Sequence, residues 1–235
     1  MKQSRLAAFA ALATLGALTL AGAGPTAAQA QQAPQERVAA LKASLAQSRE
    51  LLRQYEWIET TVVSVKGEEK SRIQNRCYYG ADGNLQKVPV TAPPPEEKKR
   101  GLRGLIAERK KEELTDYMKS AVALVKSYLP LDPASIEAVR SAGKMSITPA
   151  GPRVRLDFSD YRKPGDTLSV EVDLNNNTLL GLKVATWLKD AKDKVTLESS
   201  LGLLNDGATY PAESTLSAPS ESLAVTVTNS GYRKQ

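Results

Sequence analysis

The chain has 235 residues, 41% of them hydrophobic and 25% charged, and a formal net charge of +6. It contains no histidine and one cysteine. That excludes Ser-His-Asp and Cys-His nucleophile systems, imidazole acid–base chemistry, typical zinc sites and any internal disulfide. The charge is too low for a dedicated nucleic-acid binder. A glycosidase-like carboxylate pair is compatible with the composition, but spacing alone singles out none of the 26 acidic residues.

The N-terminus reads as an address. Lys2 and Arg5 precede an apolar Ala- and Leu-rich run from Leu6 to Leu20, and Ala28-Gln29-Ala30 supplies a small-x-small cleavage site. This is the pattern of a secretory signal peptide, with a cut expected after Ala30; the run is too short and wrongly flanked for a membrane-spanning helix. No cysteine lies near the cut and no paired arginines precede the apolar run. The expected product is a soluble protein, periplasmic or secreted, released by the general export route without a lipid anchor or later transmembrane segment.

From Glu36 to Gln54, Val38, Leu41, Leu45 and Leu52 recur at three-and-four spacing, with Ser48 filling the gap and Leu51 widening the stripe. The pattern predicts an amphipathic helix. At Tyr55 the period changes to two. Tyr55, Trp57, Thr61, Val63 and Val65 share one side of a predicted strand, with Glu59 as the exception. Lys66-Gly67 and Asp82-Gly83-Asn84 mark turns around a second strand near 69–80, and Leu85–Val90 reads as a third.

Pro93, Pro94 and Pro95 break the sheet pattern. A longer helix is predicted from Glu96 to Leu129. Its first half is charged, and its second half carries the stripe Leu114, Tyr117, Met118, Ala121, Leu124, Val125 and Tyr128. Gly101 and Gly104 each weaken the start by roughly 1 kcal/mol relative to Ala, so a break or a later beginning is expected there. Pro133 to Ala142 predicts a short third helix. From Arg153 onward, turn residues recur between alternating segments, the clearest of which is Thr167–Leu174. Connections this short join antiparallel neighbours.

The expected fold is therefore α+β. A large curved antiparallel sheet, an incomplete barrel of eight or more strands, is covered by amphipathic helices. Residues 31–235 form a single domain.

The helix Glu36–Gln54, Tyr55-Glu56-Trp57, Tyr79-Gly80-Ala81-Asp82-Gly83 and the hairpins from Arg153 onward together resemble the lipoprotein-carrier fold. That outer-membrane lipoprotein-sorting architecture is shared by periplasmic carriers of lipoproteins and some sensors of envelope stress. Uncharacterised exported bacterial proteins of the group share the Tyr-x-x-Asp-Gly turn, a stretch like Lys98-Lys99-Arg100-Gly101-Leu102-Arg103-Gly104 and a segment like Lys163-Pro164-Gly165-Asp166. Against that family the 94–149 helical stretch stands out as an insertion.

The resemblance and the expected export imply a non-enzymatic carrier of a lipid or acylated protein, held between sheet and helices, with no cofactor, metal or nucleic acid. Leu41, Leu45, Trp57, Val63, Leu182 and Trp187 are the candidate cavity lining. For the two tryptophans, ordinary packing is the competing role. Lys98, Lys99, Arg100 and Arg103 are candidates for contact with an anionic surface, against a solvated helix face with internal ion pairs. Cys77 shares a face with Ile73 and Tyr79 and is expected to be a buried, inert thiol. Asp157, Asp160 and Asp166 surround a turn without the ligand order of a calcium loop. The alternative function is an envelope interaction or stress-sensor protein that binds a protein partner through the helical insertion.

Overall fold

The computed structural model describes residues 34–90 and 102–235. Ten strands form one antiparallel sheet: β1 (Tyr55–Val65), β2 (Glu68–Tyr79), β3 (Leu85–Pro89), β4 (Met145–Ala150), β5 (Arg153–Ser159), β6 (Thr167–Asp173), β7 (Thr178–Trp187), β8 (Lys194–Leu203), β9 (Thr209–Ala218) and β10 (Leu223–Lys234). Their order is β3-β2-β1-β10-β9-β8-β7-β6-β5-β4. Twist accumulated over so many strands curves the sheet. It does not close: β3 and β4 are free edges, making an incomplete barrel. Three helices accompany it, α1 (Pro34–Leu52), α2 (Leu102–Lys126) and α3 (Pro133–Ser141). None of the described helices is long and apolar enough to cross a membrane.

The expected elements recur within a few residues, with one addition. The meander begins a strand earlier than Arg153, at β4, whose sequence Met-Ser-Ile-Thr-Pro-Ala is almost wholly exposed. An edge strand tolerates Pro149 because one side of its backbone has no ladder to complete, and it needs no alternation when neither face is deeply buried. Helix α2 starts at Leu102, beside the glycines expected to delay it.

The register makes the sheet two-faced. Met145, Phe158, Leu168, Val184, Leu197, Leu216, Val225 and Val63 stand opposite one another in sequence across eight adjacent strands. This apolar row belongs to the main core, which α2 and α3 cover with Tyr117, Ala121, Val125, Tyr128 and Val139. Side chains alternate across a strand, so the outer face takes Glu171, Lys183, Glu198, Thr215 and Thr226. Its contacts are polar, such as Lys183–Glu198 and Thr215–Thr226.

Helix α2 is seated by two tyrosines. The Tyr117 hydroxyl donates to Asp193 Oδ1 at 2.6 Å, and Ser220 Oγ donates to the same oxygen at 2.7 Å. Just past the helix end, the buried Tyr128 hydroxyl bonds Asp166 and lies 2.9 Å from Thr186 Oγ1. Burial pushes the Tyr117 phenol up to about 12, helped by its bond to Asp193. Burial opposes ionisation of Asp193, but the Tyr117, Ser220 and Lys189 donors outweigh it and hold the carboxyl below its ordinary value.

Two predictions follow from this packing. Leu168 is fully buried, so Leu168→Ala should cost about 2–5 kcal/mol in urea unfolding, as for other large-to-small core changes; a smaller loss would mean the row is not packed. For Tyr117→Phe the pH dependence carries the sign. A lowered Asp193 contributes stability above the unfolded carboxyl value of about 3.9 that is lost as pH falls through the lower folded value. A raised Tyr117 contributes stability below 10.0, its ordinary value, that is lost as pH rises through about 12. The stability gap between wild type and Tyr117→Phe should therefore be widest at neutral pH and shrink toward both extremes. A gap independent of pH would contradict the clamp.

Candidate ligand-binding face

Helix α1 is seated quite differently. It lies over β7 and β9, but among its described side chains only Ser48 is fully buried, at 3% exposure. Leu41, Leu45, Leu51 and Leu52 are half-buried. Leu41 touches the edge of the main core. Ser48 Oγ accepts the backbone N–H of Thr209 at 3.0 Å. Thr209 opens β9 ahead of the stretch that pairs with β10, which begins at Glu213, so no β10 carbonyl is available to that amide.

Beside the packed row runs a second, less covered one: Ile147, Leu156, Val170, Leu182, Ser199, Ser214, Val227, Thr61 and Ile73 are successive cross-strand partners. Its ends, Ile147 and Ile73, are exposed, and most of its middle is half-buried. The two serines at its centre satisfy each other at 2.8 Å, so they interrupt the apolar surface without leaving a stranded polar group.

Of the six candidate lining residues, Leu41, Val63 and Leu182 pack around the same core, and Leu45 lies one turn along α1 from Leu41. Trp57 is further along the helix-covered face. Glu56 and Ile58 pair with Arg233 and Ser230, so Trp57 alone faces Gly231 and Tyr232. Gly231 has φ of +66°, the left-handed residue of a β-bulge, and the extra residue brings the Tyr232 ring onto Trp57 with centroids 5.3 Å apart. The indole N–H donates to Asn229 Oδ1 at 3.0 Å. Trp187 is placed elsewhere. Thr186 points inward to Tyr128, so Trp187 stands on the outer face, where its ring N–H donates to the Pro164 carbonyl at 3.2 Å and Lys163 Nζ lies 3.6 Å from its centroid.

Cys77 is fully buried beside Trp57, and burial, reinforced by the charge of Glu59, pushes its thiol up. The three aspartates of the 157–166 turn region serve separate partners: Asp157 bonds Arg155 and Ser169, Asp160 bonds Lys144 and the Gly165 amide, and Asp166 bonds Tyr128. Among the described residues no three carboxylate or thiol groups gather as a metal site would require. Lys98, Lys99 and Arg100 lie outside the described residues; Arg103 belongs to α2.

Two features escape a reading of periodicity. Ser48 looks like a gap in a leucine stripe yet is the residue that fastens α1. Glu59 looks like an exception in an alternating strand. Its signal was legible, because a charge on the covered face of a strand needs a partner, but the partner, Lys87, sits two strands away.

No family model and no curated protein matches the sequence. Solved structures similar to it include the following two. A LolA superfamily protein from Nitrosomonas europaea has a TM-score of 0.38 and 8% identity, covering 83% of this chain and 93% of its own. A DUF1329 family protein from Desulfovibrio piger has a TM-score of 0.33 and 9% identity, covering 84% of this chain and 92% of its own.

The geometry around Ser48 yields a prediction of its own. Ser48→Ala leaves the buried Thr209 amide without an acceptor, which should cost about 1–3 kcal/mol in urea unfolding. Amide exchange at Thr209 should quicken by more than that at Leu168. Unchanged exchange at Thr209 would mean that Ser48 does not fasten the helix.

Proposed function

We propose that this chain is a non-enzymatic periplasmic carrier that holds an acyl chain, of a lipid or an acylated protein, between α1 and the helix-covered face of the sheet. The observation that carries the reading is the uneven seating of the helices. Helix α2 closes a packed core and is clamped by two buried tyrosines, whereas α1 lies over the sheet with, among its described side chains, leucines only half-buried and one serine as its fastening.

The magnitudes favour a cover that can be lifted. Freeing the four half-buried leucines costs about 1 kcal/mol each, half of a full leucine burial. Breaking the Ser48 bond adds about 1 kcal/mol. An acyl chain of ten methylenes, at about 0.8 kcal/mol per buried CH₂, returns roughly 8 kcal/mol before the cost of ordering it. The exchange is favourable for a long chain and unfavourable for a short one, which gives selectivity for length. The signal-peptide pattern at residues 1–30 supports a periplasmic location, where acyl chains in transit need shielding from water. Leu41, Leu45, Val63 and Leu182 line the proposed site, with Trp57 beyond its far end; Lys98, Lys99, Arg100 and Arg103 are proposed to contact an anionic membrane.

The test is Leu45→Ala, measured by urea unfolding and by retention of a fluorescent fatty acid. A liftable cover predicts a stability loss below about 1.5 kcal/mol, less than a packed leucine would cost, together with weaker retention of the probe. A loss of about 2–5 kcal/mol, the packed-core range, or an unliganded wild type that fails to take up the probe, would overturn the carrier reading.

A further inference from the structure

The second row of the sheet ends against a polar cluster that the apolar ligand does not explain. On β1 the helix-covered face runs Val65, Val63, Thr61 and then Glu59, so the carboxylate stands two residues, about 7 Å, past the row that contains Thr61. Its cross-strand neighbours are Asn229 on β10 and Asn75 on β2. The Glu59 side chain is only 13% exposed. Both of its oxygens accept from Lys87 Nζ, at 2.7 and 2.6 Å. Lys87 comes from the edge strand β3 and is 45% exposed, so its long side chain is free to swing outward. Among the described residues, the side-chain amide of Asn75 and the hydroxyl of Thr61 have no hydrogen-bond partner in the chain, although both residues are half-buried.

Resting on the carrier reading above, we infer that Glu59, Lys87 and Asn75 form a head-group subsite, and that the preferred ligand is an amphiphile whose head joins a primary ammonium to a phosphate. The chemistry follows from what the ion pair can exchange. A primary ammonium at Glu59 replaces the N–H···O bonds that Lys87 makes there, and the displaced Lys87 ammonium pairs with the phosphate on the same head. One ion pair becomes two, and Asn75 gains a partner. A quaternary ammonium has no N–H to offer, so Glu59 would lose its hydrogen bonds without replacement, which is the costly case for a carboxylate largely withdrawn from water. A purely anionic head satisfies Lys87 but draws it away from Glu59 and sets a second negative charge beside it.

Calorimetry with three short-chain diacyl lipids of equal chain length, carrying phosphoethanolamine, phosphocholine or phosphoglycerol heads, tests this. Wild-type protein should bind the phosphoethanolamine lipid about tenfold or more tightly than the other two, the worth of one hydrogen bond to a charged group. Glu59→Gln should abolish the preference, with phosphoethanolamine and phosphocholine lipids binding within about twofold of each other. Lys87→Gln should weaken the phosphoglycerol lipid most, since its phosphate then faces an unpaired Glu59, and the phosphoethanolamine lipid least, since its ammonium still pairs with that carboxylate. Equal affinities for the three heads in the wild type, or a Glu59→Gln variant that keeps the preference, would overturn the head-group subsite while leaving the carrier reading standing. Failure of all three lipids to bind would overturn both.

Discussion

One constraint organises this protein: a ten-stranded open sheet has a single apolar face, and that face must be covered by whatever helices the chain supplies. The cross-strand row from Met145 through Leu168, Val184 and Leu216 to Val63 spans most of the sheet. At about 25 cal/mol per Å² of apolar surface, leaving such a row in water is not an option. Helices α2 and α3 solve the problem over part of the width. Helix α1 covers another part, less completely, and the proposed function lives in that difference.

The contrast between the helices is chemical as well as steric. The α2 region reaches into the sheet with aromatic side chains whose hydroxyls end on buried carboxylates, Tyr117 on Asp193 and Tyr128 on Asp166. Such contacts fix position because both groups are withdrawn from water and each depends on the other. Helix α1 offers leucines, which slide, and one serine hydroxyl, which latches. Leucine contacts are non-directional, so parting the stripe costs only the burial it gives up, without stranding a polar group. The self-paired Ser199 and Ser214 fit the same picture, since they keep the sheet surface free of unsatisfied polar groups whether or not the helix lies over it.

Much of this was legible in the sequence. The change of period at Tyr55, the tyrosine-rich stripe along α2 and the alternation of Thr167–Leu174 led to the right elements and the right class of fold. Strand β4 was not legible, because an exposed edge strand containing Pro149 has no alternation to display. The face occupied by each tryptophan is a matter of register. Trp187 shares a face with Lys183 and Ala185 rather than with Leu182 and Val184, so its place on the outer face is set by strand parity rather than by its apolar ring. The Trp57–Tyr232 stack depends on one bulge residue, Gly231, across more than 170 residues of chain, and no local pattern announces it. The Glu59–Lys87 pair is hidden for the same reason.

The central claim is that α1 is a cover that parts from a sheet otherwise held as one core, and native-state amide exchange followed residue by residue, with and without a long-chain fatty acid, tests it most directly. The account predicts that the amides of α1 from Ala43 to Leu51 exchange through a local opening well below the global unfolding free energy, while those of α2 from Tyr117 to Val125 exchange only with global unfolding. The fatty acid should slow the α1 amides selectively. Exchange of α1 and α2 at the same global free energy, unaltered by the fatty acid, would show that α1 is part of the packed core and would contradict the account.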